Sequence, residues 1–589
     1  MIAILTDKPN VGKEIARILG AHTREDGYMS GNGYMVTWTF GNMLSLAMPK
    51  DYGMDRPERG DFPINPAPFR LMVKHIKTDT GWIPDINAVL QLKVIEKVFD
   101  ACESIIAATD ASREGEMVFR YLYRYLECRK PYRRLWISSL TDEAVLEGMD
   151  NLRPGSLYDR MFLAADSRNK ADWILGINAS YAMCKATGLG NNSLGRVQTP
   201  VLAAISRRYR ERENHISSDS WPIYISLQKD GILFKMRRTQ DLPDKESATM
   251  FFQDCKLAHQ AQITGISHSV KEILPPDLLD LTQLQKEANI RYGYTASEVY
   301  DIAQSLYEKK LISYPRTSSR YLTEDVFDSL SPIMARLLSW ELFPAAKGTG
   351  GIDISSLSRH VISAEKANVH HAIIITGIRP GNMSEKEMQV YRLVAGRMLE
   401  AFMAPCRIET TNVEAVCAAQ HFKVEQTRII EAGWHDVFMC SDMIPTSGYS
   451  VKELPKMEKG DTLNVCGCNM VHKKQLPVNP FTDAELVEYM EQNGLGTVSS
   501  RTNIIRTLVN RKYIRYSGKY IVPTPKGMFT YETIRGKKIA DTSLTADWEK
   551  QLAGLESGMI TGQDFLNRIR TLAKEMTDDI FNTYSTKEE

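Results

Sequence analysis

The chain opens with an apolar run, I-A-I-L, passes through polar T-D-K-P, and then repeats apolar residues at helical spacing in V-G-K-E-I-A-R-I-L. That pattern predicts a buried strand, a loop and a helix. The layout returns at S-I-I-A-A-T, D-A-S-R-E-G and a following helix expected to place Met117, Val118, Tyr121, Leu122 and Tyr125 on one face. Strand followed by helix, twice, predicts a parallel α/β sheet over roughly the first quarter of the chain. Asp7 and Asp110 fall at the carboxyl ends of its strands, where such sheets gather functional groups.

Residues 155–218 are helical in pattern, whereas W-P-I-Y-I-S-L-Q-K-D-G-I-L-F-K-M alternates like two strands joined at an Asp-Gly turn. T-A-S-E at Thr295 is a capping box that opens a helix with Val299, Ile302, Ala303, Leu306 and Tyr307 along one stripe. Pro315 pushes Tyr314 toward an extended backbone just past that helix. Strand-like alternation returns between about 405 and 470. Further on, R-T-N-I-I-R-T-L-V-N-R-K-Y-I precedes R-Y-S-G-K-Y-I-V, a helix and then a hairpin turning at Ser517-Gly518, the order of a winged helix.

A length of 589 residues exceeds one hydrophobic core and predicts several domains. Apolar and charged fractions of 43% and 25% are ordinary for a globular chain, and no run approaches the roughly 20 apolar residues of a membrane span. The N-terminus lacks a signal-peptide pattern, so a cytoplasmic protein starting at Met1 is expected. The nine scattered cysteines lack zinc-ribbon spacing and are expected to be reduced, mostly buried thiols. Net charge is only +1. Basic residues nevertheless cluster at Arg129, Lys130, Arg133 and Arg134, at Arg207, Arg208, Arg210 and Arg212, and from Arg501 to Lys519. Each cluster alone reads as a solvated face; beside the motifs below it raises the case for nucleic acid.

Four motifs stand in collinear order: D-A-S-R-E-G-E at 110–116, L-G-R-V-Q-T-P at 194–200, Y-P-R-T at 314–317 and H-H-A-I-I at 370–374. With G-L-G-T-V-S-S-R at 494–501 and T-A-D-W-E-K at 545–550, they resemble the type IA DNA topoisomerases. The resemblance implies a multidomain α/β and α+β toroid: a TOPRIM α/β domain at 1–153, a helical, winged-helix-like single-strand DNA-binding core at 154–218 and 476–589, a β-rich arch at 219–279 and 405–475, and a domain at 280–404 carrying the catalytic tyrosine. It also implies an ATP-independent enzyme that cuts one strand through a 5′-phosphotyrosine, passes a strand and reseals. DNA, single-stranded or negatively supercoiled, would be its substrate. A RecQ-family helicase partner, a monomeric state and a nucleoid location follow from the resemblance alone.

Tyr314 is the expected nucleophile. A phenol near pKa 10 needs neighbours that stabilise its anion, and Arg316, two residues on along an extended backbone, faces the same side. Asp110 and Glu114, with Asp7 at the neighbouring strand end, supply hard oxygen donors suited to Mg²⁺ beside a phosphate. The resemblance assigns Asp7 a role in protonating the leaving 3′ oxygen and gives Lys8 and His370 phosphate or proton-transfer roles. In the strand-binding groove it places Arg168, Asp172, Arg196, Val197 and Gln198, with Arg501 after the later loop; Arg168 and Asp172, four apart on a helix, are expected to pair.

Departures from the family pattern fall on the acids. Ser112 replaces the second Asp of D-x-D-x-E, Asp7 stands for a Glu, Ser318 stands for an Asp, and Ile375 replaces a Pro. An alternative reading is therefore a catalytically degraded TOPRIM-related protein that binds or remodels single-stranded DNA. A primase-like polymerase is disfavoured, because TOPRIM alone does not explain Y-P-R-T or G-R-V-Q.

Overall fold

A computed structural model of the chain describes all residues except 79–80, 138–139, 189–191, 341, 344–358, 364, 368–369, 439–452 and 586–589. The opening apolar run is the strand Ile2–Thr6, and it sits inside a seven-stranded sheet. It pairs in parallel with Tyr34–Trp38 on one side and with Ser104–Ala107 on the other. Tyr132–Arg134 extends the sheet in parallel, and antiparallel strands close both edges. Two strands buried on both faces read as continuous apolar runs, and Ala3, Ile4, Leu5, Ile105, Ile106 and Ala107 are all buried. Helices Pro9–Ile18 and Arg113–Tyr125 follow the two central strands, so Asp7 and Asp110 lie in neighbouring strand-to-helix loops.

The face of Arg113–Tyr125 turned inward differs from the expected one. Gly115, Glu116, Phe119, Tyr121 and Leu122 are buried, while Met117 and Val118 are half-buried and Tyr125 is exposed. The reason is electrostatic: Glu116 goes inside because the buried Arg134 and the adjacent Arg120 pair with its two oxygens. A carboxylate without such partners would not be buried.

The helix Asp159–Thr187 packs against the helix Gly562–Ser585, sharing a core of Ala171, Ile174, Trp548, Phe565, Ile569 and Met576. Ile223–Lys229 and Ile232–Arg238 form the expected hairpin, with Asp230 and Gly231 at positive φ in the turn. They close a six-stranded barrel with Gln260–Ile273, Cys406–Cys417, Gln420–Glu431 and Thr462–Met470. Helix Val498–Asn510 leads into the hairpin Ile514–Ser517 and Tyr520–Pro523, which packs on Val201, Leu202 and Ile205. Of the described cysteines Cys102, Cys255, Cys406 and Cys417 are buried and all eight are free thiols; Cys440 lies outside the described residues. Among the described residues, no helix is long and apolar enough to cross a membrane.

Helix Ala296–Glu308 begins at the capping box, with Thr295 Oγ1 accepting from Glu298 N and the Glu298 carboxylate accepting from Thr295 N. Its buried side, Val299, Ala303, Leu306 and Tyr307, belongs to one apolar cluster with Tyr314 and with Ile4, Val11 and Ile15 of the N-terminal sheet layer. The unit carrying Tyr314 and the N-terminal α/β unit therefore share a core.

Candidate active site

Three segments converge. The loop after Ile2–Thr6 brings Asp7 and Lys8; the loop after Ser104–Ala107 brings Asp110; the segment after helix Ala296–Glu308 brings Tyr314 and Arg316. Ser313 N–H donates to the Ile374 carbonyl, at 2.8 Å, and Ile312 bridges Ile375. That anchors the tyrosine segment beside the one carrying His370. Ile375, in place of the expected Pro, keeps an N–H, which faces Met398 Sδ at 3.2 Å.

The Tyr314 hydroxyl donates to Asp110 Oδ2 at 3.1 Å, and Arg316 Nη1 reaches the same oxygen at 2.9 Å. Phenol and guanidinium thus lie on one side, as their spacing of two predicts. Tyr314 is 4% exposed, its ring between Tyr307, edge-on at 5.5 Å, and His370 at 4.5 Å. Burial, reinforced by the charge of Asp110, holds the phenol well above its ordinary pKa, against the pull of Arg316. Tyr314 is thus held as a neutral phenol.

Asp7 is buried, and its Oδ1 has no hydrogen-bond partner. Burial and the neighbouring charge of Asp110 push its carboxyl up to about 7, with Lys8 and Arg316 pulling the other way. Asp7, Asp110, Tyr307 and Tyr314 line one small cleft floored by Val11 and Ile15. His370 Nε2 meets the Ala111 carbonyl at 2.5 Å, which assigns the ring proton to Nε2, while Nδ1 is buried without a partner. Burial depresses its pKa, so the ring is neutral. His371 turns its Nδ1 to the Ala372 carbonyl instead.

Ser112 caps helix Arg113–Tyr125, its Oγ accepting from Gly115 N at 3.1 Å. Gly115 is required there, because a Cβ would lie 2.0 Å from the Asp110 carbonyl. Glu114, in the first turn, sends its carboxylate to Arg168 Nη1 at 3.3 Å rather than toward Asp7 and Asp110. Among the described residues no three acidic, His or Cys groups converge as a metal cage.

The groove residues form an ion chain beside this site. Arg168 reaches Asp172 at 3.8 Å, but the shorter partner of Asp172 is Arg196, at 2.8 Å. Arg196 is buried, stacked over Trp548 at 4.6 Å and 3.5 Å from Glu549. Val197 packs half-buried in the winged-helix core. Gln198 donates to Ser193 Oγ and accepts from Arg511 Nη1 at 2.8 Å. Arg501 lies apart and buried, held by Thr282 Oγ1 at 2.9 Å and Glu491 at 3.1 Å.

Sequence reasoning missed four functional neighbours: Arg134, whose Nη2 fixes the Asp110 carbonyl at 2.6 Å; its partner Glu116; and Gln304 and Glu308 of the preceding helix, which meet Arg316 and Lys8. The visible signals were the i, i+4 spacings of Gln304 with Glu308 and of Glu116 with Arg120.

A tyrosine, an arginine and two strand-end carboxylates gathered on a TOPRIM sheet define a DNA-breaking enzyme of the topoisomerase class, and the comparisons agree. A Toprim domain matches residues 2–140 and a DNA topoisomerase family matches 156–567. The chain belongs to the type IA DNA topoisomerase family. It is similar to DNA topoisomerase 3 of Bacillus licheniformis, 33% identical over 98% of this chain and 81% of that protein. It is likewise similar to DNA topoisomerase 3 of Bacillus subtilis, 32% identical over 99% of this chain and 82% of that one. The solved structure of full-length topoisomerase I from Thermotoga maritima shares the fold, with a TM-score of 0.73 at 22% identity, over 98% of this chain and 90% of that one. The family match and the two Bacillus relatives favour the enzyme over the degraded binding protein.

Proposed function

We propose that Tyr314 cleaves and holds one DNA strand. The Tyr314 oxygen bonds to phosphorus, the bond from phosphorus to the 3′ oxygen breaks, and the chain carries a 5′-phosphotyrosine. The phenol proton passes toward Asp110, the base it already faces. The 3′ oxygen takes its proton from Asp7, whose carboxyl near 7 is substantially protonated at neutral pH. Arg316, Lys8 and neutral His370 stabilise charge on the phosphate. Resealing runs the same steps backward, and the conserved bond energy removes any need for ATP. The observation that carries this reading is the shared contact of Tyr314 and Arg316 on Asp110.

The donor set fits Mg²⁺: Asp7 Oδ1 is an unpartnered buried oxygen, and Asp110 offers a carboxylate on the same cleft. Asp110 and Glu114, the latter on leaving Arg168, would hold the ion, with Asp7 joining them only once its proton has gone to the 3′ oxygen, and the ion when bound would offset phosphate charge. Arg168, Asp172, Arg196, Val197, Gln198 and Arg501 are assigned to the single-strand path, which accepts unpaired or negatively supercoiled DNA. A RecQ-family partner, monomeric action and a cytoplasmic, nucleoid location are carried over from the resemblance.

The test is relaxation of negatively supercoiled plasmid under a Mg²⁺ titration, with Tyr314→Phe as control. Wild type should change the linking number and leave a covalent adduct; the variant should do neither. A shift in DNA mobility without change in linking number would instead favour the degraded binding protein.

A further inference from the structure

One face of helix Ala296–Glu308 carries Tyr300, Gln304 and Glu308, spaced i, i+4 and i+8 along one row. None of the three points to bulk solvent alone. Tyr300 lies under the Arg316 guanidinium at 5.4 Å, and Gln304 Oε1 accepts from Arg316 Nη2 at 3.1 Å. Gln304 Nε2 in turn donates to Glu308 Oε1 at 2.9 Å. Glu308 then crosses to the N-terminal unit: Oε1 lies 3.7 Å from Lys8 Nζ, and Oε2 accepts from Asn10 Nδ2 at 3.3 Å. The result is an unbroken polar chain, Arg316, Gln304, Glu308, Lys8.

Its two ends are cations that the proposed mechanism aims at one phosphate. Charge stabilisation of a transition state works when the donors are already oriented, and an arginine has several donors to orient. Here Nη1 is held by Asp110 and Nη2 by Gln304, contacts that use two of the five N–H donors, and Nε is buried and unpartnered. The bland alternative is a surface i, i+4 pair. It does not account for partners on two other segments, nor for the partial burial of both side chains.

We propose that Gln304 and Glu308 are positioning residues for the cleavage step: Gln304 sets the guanidinium of Arg316, and Glu308 holds Lys8 ready and joins the two units only while they are closed. This rests on the assignment of Tyr314, Arg316 and Lys8 to the reacting phosphate. At 3.7 Å the ion pair is loose enough for Lys8 to exchange Glu308 for phosphate. A pair of this exposure is worth up to about fivefold in an equilibrium. Losing a hydrogen bond to a charged group is worth roughly tenfold or more.

The full-length chain is mixed with a labelled single-stranded oligonucleotide and Mg²⁺, and the single-turnover rate of adduct formation and the adduct fraction at equilibrium are read. Binding of the same oligonucleotide is measured in the Tyr314→Phe background. Gln304→Ala and Glu308→Ala should slow adduct formation roughly tenfold while binding stays within about twofold. Glu308→Gln keeps a single acceptor oxygen, which can still take the Gln304 N–H, and loses the charge that faces Lys8 together with the second acceptor that takes Asn10. It should slow adduct formation less than Glu308→Ala does, since Gln304 stays anchored, and raise the adduct fraction by up to about fivefold, because the tie between the two units is weakened. The inference is overturned if the alanine variants cleave at the wild-type rate, if their rate and binding fall together, or if Glu308→Gln matches Glu308→Ala. If wild type forms no adduct, or Tyr314→Phe retains one, the assignment of the nucleophile fails and this inference falls with it.

Discussion

Replacing Arg134 with methionine probes the foundation of the site, because this guanidinium holds the loop that carries Asp110. Arg134 is 0% exposed. It donates to the carbonyls of Ala107 at 2.8 Å, Leu135 at 2.9 Å and Asp110 at 2.6 Å, and pairs through Nε with Glu116 Oε2 at 3.1 Å. Methionine fills much of the space and supplies none of these donors. The Ala107 and Asp110 carbonyls each keep a backbone donor, from Leu135 and Ser112, so their loss is partial. Glu116 fares worse, since it stays buried with Arg120 as its remaining cation. Breaking a buried ion pair costs about 3–5 kcal/mol, and the surviving Arg120 contact puts this case near the lower end.

Multidomain chains seldom unfold in one two-state step, so a single melting temperature is the wrong measure. Hydrogen exchange in the full chain, read over Ser104–Ala107 and Tyr132–Arg134, isolates the sheet that Arg134 ties together. About 3 kcal/mol corresponds to roughly 10²-fold faster exchange by local opening. Adding Glu116→Gln to Arg134→Met should recover part of that loss, because the stranded charge disappears. Exchange within about fivefold of wild type, or a double variant as damaged as the two singles summed, would refute the reasoning.

Three further outcomes follow from the site. The folded-state pKa of Asp7, about 7, lies above the ordinary 3.8, so the folded chain holds a proton that the unfolded chain has released. Wild type should therefore lose stability relative to Asp7→Asn as pH rises from about 4 to 7, with no further divergence above; parallel curves in a proteolysis assay would exclude it. Ser112→Ala should cost about 1 kcal/mol of local stability by removing the helix cap, whereas Ser112→Asp keeps the cap and should lower the Mg²⁺ needed for cleavage. An unchanged Mg²⁺ demand would count against the missing carboxylate as the cause. Arg168→Met frees Glu114 and should tighten Mg²⁺ binding to the DNA-free chain, measured by calorimetry; equal or weaker binding would contradict the pairing seen here.

What the sequence disclosed was local. The strand, loop and helix at each end of the N-terminal unit, the capping box at Thr295 and the hairpin at Asp230-Gly231 each follow from residues within a few positions of one another. That Tyr314 and Arg316 face one side was legible for the same reason, whereas their reading as a catalytic pair came from the ordered set of motifs. Long-range pairing was not. Arg134 reads as one of four cations in a solvated patch, yet Glu116, eighteen residues earlier, takes it inside and rotates the buried face of its own helix. Lys130 likewise spends its ammonium on the carbonyls of Asp100 and Cys102. Arg501 sits in a basic run but is drawn under Glu491. A charge pattern gives the sign of a residue, and only the fold supplies its partner.

The same distinction bears on how a chain of net charge +1 would engage a polyanion. In the closed arrangement the cations assigned to the strand are already matched internally: Arg316 by Asp110, Lys8 by Glu308, Arg168 by Glu114 and Arg196 by Asp172. A phosphate entering such a site exchanges with a carboxylate rather than filling an empty positive groove, so each gain in Coulomb energy is offset by the pair that opens. Two of the four displaced carboxylates, Glu114 and Asp110, are acids that the proposed metal site requires. Under the proposed function, strand entry and the release of these two acids are one event. That arrangement also protects the resting enzyme, since the tyrosine stays protonated and hydrogen-bonded to Asp110 until a phosphate competes for Arg316. In the proposed mechanism preorganisation and restraint are supplied by the same ion pairs, and the loose 3.7 Å contact of Lys8 is the one most readily exchanged for a phosphate.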